Sequence, residues 1–305
     1  PDRHGRIADV VLGYDSVEGY LAGKSFFGGT IGRYGNRIAR GRFTIDGIEY
    51  ALPLNNGANH LHGGPNGFNR LMWQAEPGPG ASLKLMRTSV DGEEGYPGNL
   101  RVAVTYTIEG ADALRIDYRA ETDRATPVNL TNHAYFNLAG HDAGSILDHQ
   151  LTIPSGQITA VDSGLIPTGE LHSVEGTPFD FREPRRIGER IDAHDEQIQV
   201  GPGYDHNFVL DRAGAGLVLA AIAHEPRSSR VLEIRTTEPG LQFYSGNFLD
   251  GSEVGKGGKA YAHRTGFCLE TQHFPDSPNH NSFPSTILRP GEVYQSTTTY
   301  RFTTI

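Results

Sequence analysis

The sequence predicts an all-β protein, a large antiparallel β-sandwich with very little helix. Apolar and polar residues alternate with a period of two over several stretches, as in strands with one packed face and one hydrated face. The 305 residues include 39 glycines and 18 prolines, which punctuate short strands and turns. No alternation of strands with helices is visible, so we expect two antiparallel sheets packed face to face rather than a parallel sheet.

The clearest local element is a hairpin over residues 43–52. Its turn is Asp46-Gly47, a dipeptide that favours two-residue hairpin loops. The register predicts four side chains on one face of the ribbon, in the facing pairs Ile45 with Ile48 and Phe43 with Tyr50.

Longer strands are predicted on both sides of the turn at residues 110–112. The alternation runs over 100–108, resumes over 114–118, and recurs at 217–223, 231–236 and 295–302. The only convincing helical pattern is short, at 187–191, where two isoleucines lie four residues apart. No repeat or shift in composition marks a boundary, so we expect residues 1–305 to form a single domain.

Composition narrows the possible partners and location. The formal charge is −9, so no broad basic field is expected to hold nucleic acid. No apolar run approaches the ~20 residues that cross a bilayer, and we expect a soluble protein. Cys268 is the only cysteine, which fits a reducing compartment. A cytoplasmic location is expected, with periplasmic or secreted locations left open because the chain does not begin with methionine.

One segment breaks its own periodicity. Residues 128–138, Val-Asn-Leu-Thr-Asn-His-Ala-Tyr-Phe-Asn-Leu, set one histidine among three asparagines and two aromatic rings. Polar groups inside an apolar run are often aimed at a ligand. His133 titrates near neutral pH and is therefore a candidate proton donor, although a lone histidine between apolar residues is more often a satisfied core group.

Two polar clusters precede this segment, at residues 32–38 and 55–64. In the first, closely spaced glycines leave room for a ligand, and Asn36 and Arg37 offer directed donors. In the second, His60 and His62 form a His-x-His pair. If this pair lies on a strand, both rings point to the same face, so a metal site is a possible interpretation.

Two more clusters follow it, at residues 203–208 and 266–276. Asp205 lies among aromatic residues, and rings beside a carboxylate and amides suit a hexose. Glu270 ends an apolar strand, where partial burial would raise its pKa and make it a better base near neutral pH. Together the clusters supply a base, an acid, an arginine, amides and rings, which suits proton transfer on a neutral polyol.

In chain order these clusters resemble the signatures of the aldose 1-epimerase family, also called galactose mutarotases. The matching segments run from near the start to near the end of the chain. They are Gly32–Ile38, Asn59–Gly64, Asn132–Leu138, Tyr204–Phe208, Pro239–Asn247 and Glu270–Asn279. The resemblance also leads us to expect one or more family strands before the point where this chain begins.

The resemblance implies a mutarotase-like β-sandwich with a sugar cleft across one sheet. It implies that Glu270 is the general base at the C1 hydroxyl and that His133 is the general acid at the ring oxygen. No metal and no organic cofactor is implied, and the partner is a monosaccharide. The residues implied to hold the sugar are Asn36, Arg37, His62, Asp205 and Gln242.

The mechanism carries a geometric expectation and leaves alternatives open. We expect the carboxylate and the imidazole to face each other from opposite sides of one pyranose. Three other interpretations remain: a hexose-phosphate epimerase of the same fold, a non-catalytic sugar-binding protein, and a metal enzyme using His60, His62 and His133. The preferred sugar is undetermined, and a monomer or weak homodimer is expected.

Overall fold

Strands are the main regular elements of the computed structural model, which describes residues 1–212, 214 and 216–305. The first strands are β1 Gly29–Ile31, β2 Arg37–Ile38, β3 Arg42–Ile45, β4 Ile48–Ala51, β5 His60–Leu61, β6 Gln74–Pro77, β7 Ser82–Ser89, β8 Leu100–Glu109, β9 Ala113–Thr122, β10 Thr126–Pro127, β11 Thr131–His133 and β12 Tyr135–Phe136. They are followed by β13 Gln150–Thr152, β14 Gln157–Val161, β15 Pro167–Ser173, β16 Arg185–Arg186, β17 Asp205–Val209, β18 Val218–Glu225, β19 Arg230–Thr236, β20 Gly240–Tyr244, β21 Phe267–Gln272, β22 Ile287–Leu288 and β23 Tyr294–Thr304. The α-helices of the described ranges are α1 Val17–Ala22 and α2 Glu196–Val200.

Two large antiparallel sheets dominate, as the alternation predicts. One has nine strands in the order β16-β13-β18-β19-β23-β9-β8-β7-β6, and the other has six in the order β12-β21-β20-β17-β14-β15. Two-stranded pairs β1-β11, β2-β5, β3-β4 and β10-β22 accompany them. The all-β class and the long strands on both sides of the 110–112 turn are confirmed.

The main core lies between the two sheets. Val104 and Ile116 point into it from the nine-stranded sheet, and Leu241, Phe243 and Leu269 point into it from the six-stranded sheet. All five are at most 1% exposed. Apolar burial of this extent is the dominant favourable contribution to folding.

The strands β20 and β21 of the six-stranded sheet are buried on both faces, and this decides where a site can form. Every residue of β21 is buried, although only alternate side chains face the core. Phe267 and Leu269 face the core, whereas Cys268 and Glu270 face the opposite side, which loops and short strand pairs cover. A polar side chain on that second face is therefore removed from water without entering the apolar core.

The predicted hairpin has the expected register. Phe43 pairs with Tyr50 and Ile45 with Ile48. Asp46 and Gly47 take positive φ values of 52° and 80°, as a two-residue turn of this type requires. The burial of the four side chains is less uniform than expected, because Ile48 is 51% exposed at the end of the ribbon.

The helical prediction is wrong in detail. Residues 187–191 contain only a 3₁₀ turn, Ile187–Glu189. The helices α1 and α2 were not predicted, because six and five residues are too few to show a helical period. The start of α2 had a local signal, since Asp195 caps it by accepting hydrogen bonds from the N–H groups of Gln197 and Ile198. None of the described helices is long and apolar enough to cross a membrane.

Candidate functional site

A cavity of about 310 Å³ lies on the covered face of the six-stranded sheet. Its size is at the lower end of the range for small-molecule sites. Segments that are far apart in sequence converge on it, which only the sheet topology makes possible. Six of the seven predicted site residues line it: Asn36, Arg37, His62, His133, Asp205 and Glu270.

Gln242, the seventh, is not among the residues that line the cavity. In the sheet it pairs with Glu270 on one side and with Asn207 on the other. Its side-chain Nε2 donates a hydrogen bond to Oδ1 of Asp205 over 2.7 Å. Gln242 therefore acts on the cavity through this hydrogen bond to Asp205.

Glu270 and His133 lie side by side. Nε2 of His133 is 3.6 Å from Oε1 of Glu270. The expectation that the two groups flank opposite sides of a pyranose is wrong, because a sugar ring does not fit into that gap. The chemistry explains the correction: the C1 hydroxyl oxygen and the ring oxygen of an aldopyranose are bonded to the same carbon, so a base and an acid serving them must be neighbours.

Burial shifts both groups towards their neutral forms. Desolvation, reinforced by the negative charge of Asp205, raises the pKa of Glu270 well above its ordinary value, and the charge of Arg37 offsets this only in part. Burial lowers the pKa of His133 to about 4. Burial also raises the pKa of Asp205, against the opposing effects of Arg37 and of the Gln242 hydrogen bond. Perturbed groups gathered in one cleft are typical of sites that transfer protons.

Arg37 is the cation among these acids. Its Nε donates to Oδ1 of Asn56 over 3.0 Å, and its Nη1 lies 4.0 Å from Oδ2 of Asp205. The first contact holds the guanidinium in place, and the second is too long for a hydrogen bond. Arg37 therefore keeps N–H groups available at the cavity.

Two hydrogen bonds join Asn36 and His62. The backbone N–H of His62 donates to the carbonyl oxygen of Asn36 over 3.0 Å. In return, the backbone N–H of Asn36 donates to Nδ1 of His62 over 3.1 Å. Both residues have left-handed backbone conformations, with φ values of 64° and 52°. Such conformations are uncommon for residues other than glycine and cluster at functional sites.

The expectation that His60 and His62 point to the same face is wrong. Strand β5 ends at Leu61, and the positive φ of His62 breaks the alternation at that point. The ring of His60 turns away from the cavity: its Nδ1 is 2.7 Å from the carbonyl oxygen of Pro53, and its Nε2 is 2.7 Å from the hydroxyl of Tyr96. A metal site built on His60, His62 and His133 is thereby contradicted.

A different set of three groups does have metal-ligand spacing. One ring nitrogen of His62, one of His133 and a carboxylate oxygen of Glu270 lie within 4.8 Å of one another. All three residues are buried. Two histidines and a glutamate are also the protein ligands of some catalytic zinc sites.

The glycines of the first cluster serve chain packing rather than a ligand. A Cβ on Gly32 would lie 2.4 Å from the ring of Phe68, and one on Gly63 would lie 1.9 Å from the carbonyl oxygen of Gly32. The segments around residues 32 and 63 thus approach each other at backbone distance. This contact brings Asn36 close to His62, so the glycines act on the site indirectly.

Asn129 connects three segments of the site. Its backbone accepts from the N–H of Gly35 over 2.7 Å, and its Oδ1 accepts from the N–H of His273 over 2.9 Å. Its Nδ2 donates to the carbonyl oxygens of both residues, over 3.1 and 3.3 Å. The side chain is fully buried, so these bonds join the Asn36 loop to the end of β21, the strand of Glu270.

Sequence reasoning missed the rim of the cavity. Two loops supply it, one containing Lys24 and Phe26 and the other containing Phe248 and Asp250. The ring of Phe26 is 4.8 Å from that of His62 and 5.7 Å from that of His133. Phe248 is 58% exposed at the mouth, where it stacks on Tyr244. These loop residues have no periodicity, and the positive φ of Phe26 leaves no mark in the sequence.

The arrangement suits reversible proton transfer on a small polyhydroxylated ligand. A carboxylate and an imidazole lie in contact with each other, amide and guanidinium groups surround them, and aromatic rings form walls against which C–H faces can pack. Glu270 and His133 are almost wholly buried, so a ligand bound beside them would displace the remaining water around them.

Comparison with known proteins agrees with this chemistry. A family model described as aldose 1-epimerase matches residues 1–301. Galactose mutarotase from Bos taurus is 49% identical over 301 residues, covering 99% of this chain and 86% of its own length. Aldose 1-epimerase from Escherichia coli K12 is 42% identical over 304 residues, covering 99% of this chain and 87% of its own length.

The fold comparison gives the same family. A crystal structure of an aldose epimerase homologue from C. elegans superposes with a TM-score of 0.91 at 30% identity, covering 100% of this chain and 91% of that one. Galactose 1-epimerase from Lactobacillus acidophilus superposes with a TM-score of 0.86 at 29% identity, covering 97% of this chain and 86% of that one. The chain therefore belongs to the aldose 1-epimerase family, isomerases that interconvert the α and β anomers of aldoses.

Proposed function

We propose that Glu270 and His133 carry out this anomer interconversion on free aldohexoses such as galactose and glucose, as general base and general acid. The contact of 3.6 Å between His133 Nε2 and Glu270 Oε1, inside a buried cavity, is the observation that supports this assignment most strongly. Galactose appears in the names of the mammalian relatives, and glucose differs from it at one hydroxyl.

The proposed reaction moves two protons and breaks one C–O bond. Glu270 takes the proton of the C1 hydroxyl while His133 gives its Nε2 proton to the ring oxygen, and the C1–O5 bond breaks to leave the open-chain aldehyde. Rotation about C1–C2 presents the other face of the carbonyl carbon. Ring closure with both proton transfers reversed produces the other anomer, so each group serves as acid and as base within one turnover.

The pair needs only one transferable proton. Burial favours a protonated Glu270 with a neutral His133, and the working state is a Glu270 carboxylate with a protonated His133. Both states hold the same number of protons and differ by a transfer over the short contact between the groups. A hydrogen bond from the C1 hydroxyl to Glu270 stabilises the carboxylate and therefore favours the working state.

We propose that Asn36, Arg37, His62 and Asp205 hold the sugar hydroxyls and ring, and that Gln242 acts through Asp205. Acidic groups outnumber cations around the cavity, which disfavours a phosphorylated sugar because a phosphate would meet uncompensated negative charge. The lining cations are Lys24 and Arg37, and the lining acids are Asp205, Asp250, Glu253 and Glu270.

Polarimetry tests the proposal directly. Freshly dissolved α-D-galactose and α-D-glucose should relax to their equilibrium rotation faster with the protein than without it. Glu270→Gln and His133→Ala should each reduce the acceleration by about 10²- to 10⁴-fold, the usual contribution of a general acid or base. Absence of acceleration by folded wild-type protein would instead favour a binding-only role or a phosphorylated substrate.

The chain offers a matched control pair. Glu170 and His172 form a contact of 3.1 Å on the exposed strand β15, with side chains 74% and 48% exposed. Glu170→Gln and His172→Ala make the same chemical changes away from the cavity. These variants should relax the sugars at the wild-type rate, and an equal loss in them would show that the site variants lose activity through general damage to the fold.

We further propose that residues 1–305 act as one domain, as a monomer or weak homodimer in the cytoplasm. The core shared by the two large sheets supports the first point, and the buried thiol of Cys268 is compatible with a reducing compartment. Light scattering over a range of protein concentrations and fractionation of the source cells test the other two points.

A further inference from the structure

One carboxylate joins two loops of the cavity rim. The first loop is residues 24–28, here called the arch, and the second is residues 247–255, here called the outer loop. Oε1 of Glu253 in the outer loop accepts a hydrogen bond from the backbone N–H of Lys24 over 2.8 Å and another from the hydroxyl of Ser25 over 3.2 Å. All three residues line the cavity. The acid–base mechanism assigns no role to this contact.

A third donor reaches the same carboxylate. The hydroxyl of Tyr14 donates to Oε2 of Glu253. The ring of Tyr14 packs against that of Phe27, with centroids 5.3 Å apart, and Phe27 is buried. Gly23 makes room for the hydroxyl, because a Cβ on Gly23 would lie 2.2 Å from its oxygen. Both oxygens of the Glu253 carboxylate are therefore engaged by the chain segment that leads into the arch.

The opposite end of the arch is bonded to strand β11. The N–H of Gly28 donates to the carbonyl oxygen of His133 over 3.0 Å, and Nδ2 of Asn132 donates to the carbonyl oxygen of Gly28 over 3.1 Å. Gly29, the next residue, pairs with His133 in the two-stranded pair β1-β11. The arch is thus tied at one end to the outer loop and at the other end to the strand of the proposed general acid.

Phe26 lies between these two ties. Its φ of 59° is a left-handed conformation, which is strained for a residue with a side chain and persists only where surrounding contacts impose it. Its ring is 4.8 Å from that of His62 and 5.7 Å from that of His133, and it lies within 22° of parallel to the latter. Without the tie at Glu253, the backbone could return to an ordinary conformation, and the ring would no longer be held against the two histidines.

Resting on the proposed function, we propose that Glu253 is a positioning residue: by joining the outer loop to the arch, it holds the ring of Phe26 beside the proton-transfer pair. There the ring forms a fixed wall for the C–H face of the sugar and keeps water away from the reacting atoms. Aromatic rings suit apolar faces of this kind, and a site that excludes water strengthens the electrostatic interactions inside it.

The hydrogen bonds favour this role over direct sugar binding by Glu253. A carboxylate has about four acceptor positions, and the chain itself occupies three of them. Hydrogen bonds to an ionised acceptor are also stronger than those between neutral groups. Glu253 therefore acts through Phe26 and not on the sugar.

Amide hydrogen exchange tests the tie without any activity measurement. Glu253→Ala removes the acceptor of the Lys24 N–H. Exchange of this proton, followed by ¹H–¹⁵N NMR, should become faster by about 10-fold, as loss of one hydrogen bond to a charged group predicts. Exchange of the Gly28 N–H should not change, because its acceptor is the carbonyl oxygen of His133. An equal exchange rate of the Lys24 N–H in the wild type and in Glu253→Ala would overturn the tie.

Two variants serve as controls for exchange. Glu253→Gln keeps an oxygen that accepts from Lys24, and its NH₂ group can donate to the hydroxyl oxygen of Tyr14, so slow exchange should be retained. Glu292→Ala removes a carboxylate that accepts a hydrogen bond from the N–H of Arg289 over 2.9 Å in an exposed turn. Glu292 is not among the residues that line the cavity, and its variant should leave the exchange of the Lys24 N–H unchanged.

Polarimetry tests the effect on catalysis. Glu253→Ala should raise KM for galactose by about 10-fold, as loss of a well-packed aromatic contact predicts. Burial lowers the pKa of His133 to about 4, and the ring of Phe26 contributes to that burial. The acidic fall of kcat/KM should therefore move to higher pH in Glu253→Ala. Phe26→Ala should show both effects, and Glu253→Gln should recover most of the lost efficiency.

The shift in the pH profile reports the exclusion of water and not the loss of a charge beside His133. The titratable groups that face its ring are Glu270 and Cys268 from β21, Tyr135 from β12 and His62 from the end of β5. None of them is changed in these variants. Glu292→Ala should keep both KM and the pH profile of the wild type.

The outcomes separate this inference from the proposed function. Faster exchange of the Lys24 N–H in Glu253→Ala, with KM and pH profile as in the wild type, would overturn the positioning role. An unchanged KM and pH profile in Phe26→Ala would overturn the wall. A wild type that shows the predicted exchange but accelerates the relaxation of no aldose would support the tie and overturn the proposed function.

Discussion

Nε2 of Gln242 donates a hydrogen bond to Oδ1 of Asp205 over 2.7 Å, which makes one predicted sugar-binding residue the support of another. Gln242→Leu removes this donor and frees the Asp205 carboxylate to turn. We expect KM for galactose to rise about 10-fold, as loss of a hydrogen bond to a charged group predicts, with a smaller change in kcat. Steady-state polarimetry measures both. Gln157→Leu, an exposed glutamine in β14 of the same sheet, is the control, and a fall in kcat at unchanged KM would contradict the prediction.

The activity should depend on pH through the Glu270–His133 pair. Below the pKa of His133, lowered to about 4, both groups are protonated and no base remains. Above the raised pKa of Glu270, the pair has lost its transferable proton. We therefore expect kcat/KM to be constant above about pH 5, to fall below that pH, and to fall again above the raised pKa of Glu270, with apparent pKa values that belong to the pair. Relaxation rates corrected for uncatalysed mutarotation test this, and an acid limb near the ordinary histidine pKa would contradict it.

Asn129→Ala should damage both stability and activity. It leaves the N–H of His273 and the carbonyl oxygen of Gly35 without their buried partners, so we expect a loss of about 3 kcal/mol in the free energy of unfolding. The catalytic efficiency of the folded protein should also fall, because the Asn36 loop is released from the end of β21. Urea denaturation and polarimetry measure the two effects. Asn66→Ala, at an exposed asparagine, should change neither, and wild-type stability of Asn129→Ala would refute the connecting role.

His149 should make the protein less stable in acid. Burial lowers its folded-state pKa to about 4, while the unfolded chain has the ordinary value near 6.5. Between these values the unfolded state binds the proton, so the contribution is complete above pH 6.5 and is lost as the pH falls towards 4. At pH 5 the loss is about 2 kcal/mol. Urea denaturation at several pH values measures the free energy of unfolding. In His149→Gln the loss of unfolding free energy between pH 7 and pH 5 should be smaller than in the wild type by that amount, and an equal loss in both proteins would contradict the assignment.

Gly63→Ala should disturb the contact that forms the cavity wall. The added Cβ would lie 1.9 Å from the carbonyl oxygen of Gly32, and the backbone has a φ of 83°. We expect a loss of about 3 kcal/mol in unfolding free energy, at the large end for point substitutions. Gly176 has a similar φ of 74°, but a Cβ added there would have no neighbouring atom within 4 Å. Gly176→Ala should therefore lose only about 1 kcal/mol of unfolding free energy. Equal losses in thermal or urea denaturation would show that φ alone, and not the close approach, is responsible.

Local features of the chain predicted much of the fold. The Asp46-Gly47 turn and the alternation on both sides of residues 110–112 act between neighbours, so their register follows from backbone and side-chain geometry alone. The short helices α1 and α2 were beyond such reasoning, because a period of 3.6 residues needs more than one or two turns to be seen.

The sequence by itself determined the chemical inventory of this protein: a glutamate, histidines, an arginine and amides placed between short antiparallel strands. The tertiary structure alone decided how they meet. It placed Glu270 beside His133 rather than opposite it, joined Gln242 to Asp205 by a hydrogen bond, and turned His60 away from His62. These outcomes depend on contacts between segments up to 137 residues apart and on left-handed backbone turns, and neither leaves a periodic signal in the chain.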